Sequence, residues 1–155
     1  MTRSNAAVTA ALLLAVVTTS VAADAVPSAI TVRDAWARAT PPGAGVAAAY
    51  LTIVGGAVPD RLVGAGTSMA AMTRIHSVAE SDGMARMREA DDIAIPAGER
   101  IVLAPHGLHL MLMDLKQPLV AGQRFTVKLT FAHAGAREVG VDVVAPDQAP
   151  AAAHH

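Results

Sequence analysis

The chain has 155 residues, with 12 Lys and Arg against 13 Asp and Glu, six His and no Cys. A near-neutral balance without a basic cluster argues against nucleic acid as a partner. The missing thiols exclude a disulfide scaffold, a thiol redox enzyme, a thiolate metal site and a blue-copper electron carrier, whose Cu(II) centre needs a Cys ligand.

Residues 1–23 carry Arg3 as their one charged side chain, then an apolar run over Ala10–Val17, then the small residues Ser20-Val21-Ala22-Ala23. A positive start, a short apolar middle and an A-x-A-like ending predict a secretory signal peptide cut after Ala22 or Ala23. The run is short for a membrane span of about 20 residues. Without a Cys to carry a lipid, the processed protein is expected to be soluble and to make no membrane contact. What remains, about 130 residues, is enough for one domain with a real core, expected over residues 24–145.

From there the sequence reads as short strands separated by Gly and Pro. Ile30–Arg38 is a first strand, ended by Thr40-Pro41-Pro42-Gly43, and Ala47–Val54 a second, broken by Gly55-Gly56. Arg61–Gly64, Arg74–Ala79 and Met84–Glu89 follow, the last two separated by the turn signal Glu80-Ser81-Asp82-Gly83. Ile101–Leu103, His109–Leu115, Arg124–Phe131 and Val139–Val144 complete the set. Thr126, Lys128 and Thr130 alternate with Val127, Leu129 and Phe131, the period of a half-buried strand. No amphipathic helix is evident after the signal. This pattern predicts an all-β fold, an antiparallel sandwich or Greek-key barrel. Trp36, Tyr50, Phe125 and Phe131 are expected to be core anchors. Residues 146–155 (PDQAPAAAHH) form a low-complexity tail, expected to be disordered.

Four potential soft ligands lie on this framework: His76, Met87, His109 and Met111. Two imidazoles and two thioethers suit Cu(I), a soft ion that accepts neutral sulfur and nitrogen, better than zinc. Methionine has no thiol proton to lose and forms no disulfide, so such a site persists in an oxidising compartment. In His109-Leu110-Met111-Leu112-Met113, strand alternation puts His109, Met111 and Met113 on one face and the leucines on the other. A strand buried on both faces, with methionines as gap-fillers, is the competing account of that segment taken alone. Ile75 is expected to point inward and His76 outward. The hairpin after His76 can bring either Met84 or Met87 towards it, and local sequence does not choose between them.

These residues carry a family resemblance. The pattern His-x10-Met-x21-His-x-Met, matched by His76, Met87, His109 and Met111 at every spacing, resembles that of the PCuAC family of periplasmic Cu(I) chaperones. The flanking runs Ala35–Gly43, Gly83–Glu89, Ile95–Glu99 and His109–Leu115 are similar too, so the likeness extends over Ile30 to Val144. It implies a cupredoxin-like Greek-key β-barrel, a periplasmic location, Cu(I) held by those four residues, and copper supply towards cytochrome c oxidase. One departure is His106 in Pro105-His106-Gly107, where the family has a small residue. His106 is either a solvated turn residue or an extra imidazole near the copper shell. His133 has no assigned role, and His154 and His155 offer at most a weak Cu(II) pair.

Three functions compete. A metallochaperone would pass Cu(I) to an acceptor, either a terminal oxidase's copper centre or its assembly chaperone. A sequestration or resistance protein would hold copper without an acceptor. A sandwich adhesion or assembly module would have incidental His and Met. No nucleophile–base pair stands out, and Glu80, Asp82, Glu89, Asp91 and Asp92 read as solvated turns, so no enzyme is expected.

Overall fold

The computed structural model describes residues 29–81 and 83–148. The segment read as a signal peptide and most of the tail lie outside the described residues. Within them are ten strands: β1 (Thr31–Arg38), β2 (Val46–Val54), β3 (Asp60–Thr67), β4 (Ala70–Ser81), β5 (Met84–Ala90), β6 (Ile93–Ile95), β7 (Arg100–Leu103), β8 (His109–Leu115), β9 (Arg124–Phe131) and β10 (Gly135–Val144). There is no helix among the described residues.

The strands form one sheet in the order β5-β4-β8-β2-β1-β10-β9-β3-β6, with β7 pairing β2 off that path. Every pairing is antiparallel except β1 with β10. The path ends at β5 and β6, so the sheet is not closed. The middle of the order is its most apolar part. In β2, a run of Ala, Tyr, Leu, Ile and Val interrupted by Thr52, nearly every residue is buried. It pairs β8 through its first half and β7 through its second. Such a near-continuous apolar run marks a strand covered on both faces.

β9 shows the alternation expected of it. Phe125, Val127, Leu129 and Phe131 are buried, and the residues between them are exposed. They join Leu51, Ile53, Leu62, Ile95, Leu103, Leu110, Leu112, Leu119 and Val141 in one core cluster. Each large side chain buried there contributes about 1.5–3 kcal/mol of transfer free energy. At Gly55 the backbone comes too close to the loop before β7 for any side chain, because a Cβ would collide with the Pro96 carbonyl oxygen. Backbone bonds from Gly55 N–H to Glu99 O (2.8 Å) and from Gly98 N–H to Gly56 O (2.9 Å) tie the two segments there.

The second tie is a buried carboxylate. Asp60, at the start of β3, accepts backbone N–H bonds from Arg61 (2.7 Å), His133 (2.9 Å) and Ala134 (2.8 Å), and so anchors the β9–β10 turn. Burial alone would raise its pKa, but these three donors and the nearby His133 imidazole outweigh burial and hold it below 3.8. The folded carboxylate therefore takes up its proton later than the unfolded chain does. The stabilisation is complete above about pH 5 and is lost as pH falls through the folded-state value. Thermal melts between pH 6 and 2.5 should show the wild-type midpoint falling with acid. In Asp60→Asn the midpoint starts lower and falls less over the same interval.

β1 carries an irregularity that serves the face described next. Its register with β2 shifts between Arg33 and Trp36, and Asp34 has φ +55°. This left-handed conformation is one that Asp tolerates better than most residues. Beyond the bulge, Trp36 pairs with Tyr50 on β2, and the two rings lie 4.5 Å apart between centroids.

Candidate metal centre

β4 and β8 pair antiparallel with His76 directly opposite His109, Arg74 opposite Met111 and Met72 opposite Met113. Directly opposed residues share a face, so all six project from the same side. The reverse side is the core: Leu110, Leu112 and Ile75 are buried. The expected division of β8 into leucines inward and His/Met on the other face is the one observed, and Ile75 and His76 divide in the same way.

The two imidazoles meet edge to face, with centroids 5.8 Å apart at 68°. His109 is only 5% exposed. Tyr50 packs beside it at 6.4 Å, and the Trp36 ring, with the Arg38 guanidinium 5.8 Å from its centroid, extends the row to the sheet's next strand. His109 Nδ1 lies 3.0 Å from the Gly107 carbonyl oxygen. A carbonyl can only accept, so Nδ1 carries the hydrogen and the Nε2 lone pair is left for a metal, the usual arrangement that orients a ligating imidazole. His76 Nδ1 is buried and has no hydrogen-bond partner. A buried imidazole nitrogen left without a partner is costly.

The other sequence-selected residues fall as follows. Met111 is half-buried and diagonal to His76 across β4 and β8. Met87, on β5, pairs with Val78, two residues beyond His76, and shares its face. Met84 pairs with Ser81 and falls on the opposite face, which separates the two methionines that the hairpin sequence left equivalent. Met87 is 52% exposed. Every β5 residue before Ala90 is exposed, and β5 pairs only with β4. Along this register Met87 and Met111 lie at opposite diagonals of His76, roughly 16 Å apart on a flat sheet at the standard strand spacing and rise. The structure thus gathers His76, His109 and Met111 and holds Met87 on the same face at the end of a thinly anchored edge hairpin.

His106 occupies an exposed turn with φ +66°. That left-handed conformation is natural for glycine and uncommon for a residue with a side chain. His133 pairs with Asp60, 3.3 Å away at Nδ1, and is bound up with the β9–β10 turn rather than this face. His154 and His155 lie outside the described residues. Sequence reasoning missed Tyr50 and Trp36 as neighbours of the site, because nothing in their spacing separates a core aromatic from one that walls an imidazole. It also missed the ion pair of Arg74 with Glu89, 3.5 Å at Nε, which partly offsets a positive charge next to the face. Among the described residues no three His, Cys, Asp or Glu side chains gather to hold a metal. Besides the two imidazoles, this face carries methionine thioethers and the Glu89 carboxylate, which is opposite His76 and paired with Arg74. A cavity of about 480 Å³ lies elsewhere, between β1 and β10, and carries charged side chains including Arg33, Asp34 and Arg124.

Two solved structures share this architecture at sequence identities that exceed fold likeness alone. One is the copper-bound PCuAC domain from PmoF2, with TM-score 0.65 and 28% identity, covering 79% of this chain and 97% of that one. The other is the Cu(I) form of DR1885 from Deinococcus radiodurans, solved in solution, with TM-score 0.62 and 32% identity, covering 80% and 83%. The fold is thus that of a PCuAC-type, cupredoxin-like domain. Residues 30–143 match the family described as "Putative lipoprotein LpqE-like", and the chain belongs to that family. "Putative lipoprotein Lxx21020" of Leifsonia xyli subsp. xyli is 38% identical over 116 residues, 74% of this chain and 69% of that protein.

Proposed function

We propose that the domain is a Cu(I)-binding metallochaperone, a carrier rather than a catalyst, whose ligands are His76, Met87, His109 and Met111. The observation that carries this reading is the opposed pair His76 and His109. One ring has its Nδ1 hydrogen engaged by Gly107 and the other has a buried Nδ1 without a partner, with Met111 beside them. The copper-bound PmoF2 domain and Cu(I)-DR1885 support the choice of metal. Copper here is cargo. The imidazoles and Met111 form a seat on a rigid part of the sheet, and Met87 closes it from above as the β4–β5 hairpin curls over the face.

The compartment is part of the same proposal. The signal-like residues 1–23 and the lipoprotein descriptions of the family and the Leifsonia relative support export. We place the processed protein in the periplasm, with residues 24–145 as the copper domain. Its acceptor is taken to be the copper centre of a terminal oxidase or a chaperone that assembles it.

X-ray absorption on the anaerobic Cu(I) form tests the site. One ion per domain should show both sulfur and imidazole scattering, at most two of each. Met111→Leu should remove sulfur intensity, whereas Met84→Leu should leave the spectrum unchanged. A first shell of nitrogen and oxygen alone would rule the assignment out.

A further inference from the structure

Four of the chain's seven methionines lie on the face that carries the two imidazoles. Met87 and Met111 are accounted for above. Met72 and Met113 are not, and they stand directly opposite each other on β4 and β8. Met113 follows Met111 by one strand repeat, and Met72 is diagonal to Met111. Opposed Cβ atoms lie about 4.5–5.5 Å apart and diagonal ones about 7–8 Å. Unbranched thioethers with three rotatable bonds readily bridge such distances, so the three sulfurs can converge on one point.

These methionines do not fill a core gap. Leu110 and Leu112 seal the reverse side of β8, while Met72 is 42% exposed and Val46, paired with Met113, is 54% exposed. Burial therefore does not explain why sulfur is placed here. Arg74 shares this face, between Met72 and His76 along β4. Its Nε is engaged by Glu89 on the β5 side, away from β8, so the guanidinium is drawn off the methionine cluster. Three neutral sulfurs without hard ligands suit a soft monovalent ion.

We propose that Met72, Met111 and Met113 form a second, all-thioether Cu(I) site at the exposed end of the face. It shares Met111 with the imidazole pair, so an ion moves between the two positions by exchanging its remaining ligands around one retained sulfur. The role as entry and exit station rests on the chaperone reading, but the site itself does not, since it needs neither imidazole. Sharing Met111 makes the two positions alternative rather than simultaneous, and total loading stays at one ion.

The experiment is an anaerobic titration with Ag(I), then Cu(I), of protein carrying 13C-methyl methionine. It is run on the wild type and on the His76→Ala/His109→Ala double variant. In the double variant the methyl signals of Met72, Met111 and Met113 should shift together, and absorption spectra should show sulfur neighbours only. Adding Met72→Leu and Met113→Leu, a near-isosteric exchange, should abolish the shift of the remaining Met111 methyl. If the double variant leaves Met72 and Met113 unmoved, the second site does not exist. Should the double variant not fold, Met72→Leu/Met113→Leu in the wild-type background decides. Loading from a Cu(I) chelator should slow by roughly tenfold, with affinity of the loaded state changed less than threefold. Unaltered loading rates overturn the proposal. Failure of the chaperone reading has a different signature, namely a wild-type absorption spectrum without imidazole scattering.

Discussion

Met111→Ala is expected to lower Cu(I) affinity by roughly two orders of magnitude, about 2.7 kcal/mol, and to leave the melting temperature nearly unchanged. Leu112→Ala, one residue away, is expected to do the opposite. Met111 projects half-buried from the ligand face, where losing its side chain leaves no sealed cavity. Leu112 is fully buried in the core cluster, where truncation of a leucine costs about 2–5 kcal/mol. For a domain of this size that is a fall of roughly 10–20 °C in the melting midpoint. His109→Ala falls between the two. It should remove copper binding as thoroughly as Met111→Ala does. It should also cost stability, because His109 is buried against Tyr50 and bonded to Gly107. Calorimetric melts of the apo forms, paired with Cu(I) competition titrations, separate the three behaviours. If Met111→Ala unfolds the domain while its folded fraction keeps full copper affinity, the division of β8 into two faces is wrong.

The clean separation of β8 also shows why so much of this fold was legible beforehand. Where one face is buried, a strand alternates, and β8 and β9 have the limits their alternation predicts. Elsewhere the pattern gives only part of an element. β4 begins at Ala70 rather than Arg74, and β10 at Gly135 rather than Val139. Their early residues are held by cross-strand hydrogen bonds to β8 and β9, which local sequence does not encode. β6 has three residues, too few for any period, and it exists because Asp60, Arg61 and Leu62 offer it a partner.

The same distinction applies to the site. Spacing picks out His76, His109 and Met111, and their convergence depends on a β4–β8 register that links residues more than thirty positions apart. The choice between Met84 and Met87 needed the hairpin register, because a shift of one residue exchanges the faces. Asp60 had no sequence signal as an anchor, since two of its three backbone N–H partners lie more than seventy residues away.

The largest functional effect expected is on transfer. On the proposed ligand set, two thioethers and two neutral imidazoles would hold Cu(I) without neutralising its charge, whereas an acceptor with Cys thiolates would both neutralise the ion and supply softer ligands. The equilibrium therefore favours the acceptor. Speed follows from how the ligands are mounted. Met87 stands on an edge hairpin bound to β4 alone and exposed along nearly its whole length, the kind of element that opens at low free-energy cost. His109, by contrast, is fixed by Gly107 and Tyr50. Release should start at Met87 and end at the imidazoles, so an acceptor can bind the ion before the donor lets go. Copper should then move to a dithiolate acceptor domain at least tenfold faster than to a small chelator of equal affinity. Met87→Leu should narrow that advantage more than it weakens equilibrium binding. Stopped-flow mixing of the loaded domain with each competitor measures both rates. Cells lacking the protein should lose oxidase activity when copper is scarce and recover it when copper is added. Equal rates to acceptor and chelator, together with a deletion that alters only tolerance of excess copper, would replace delivery with sequestration as the function of this face.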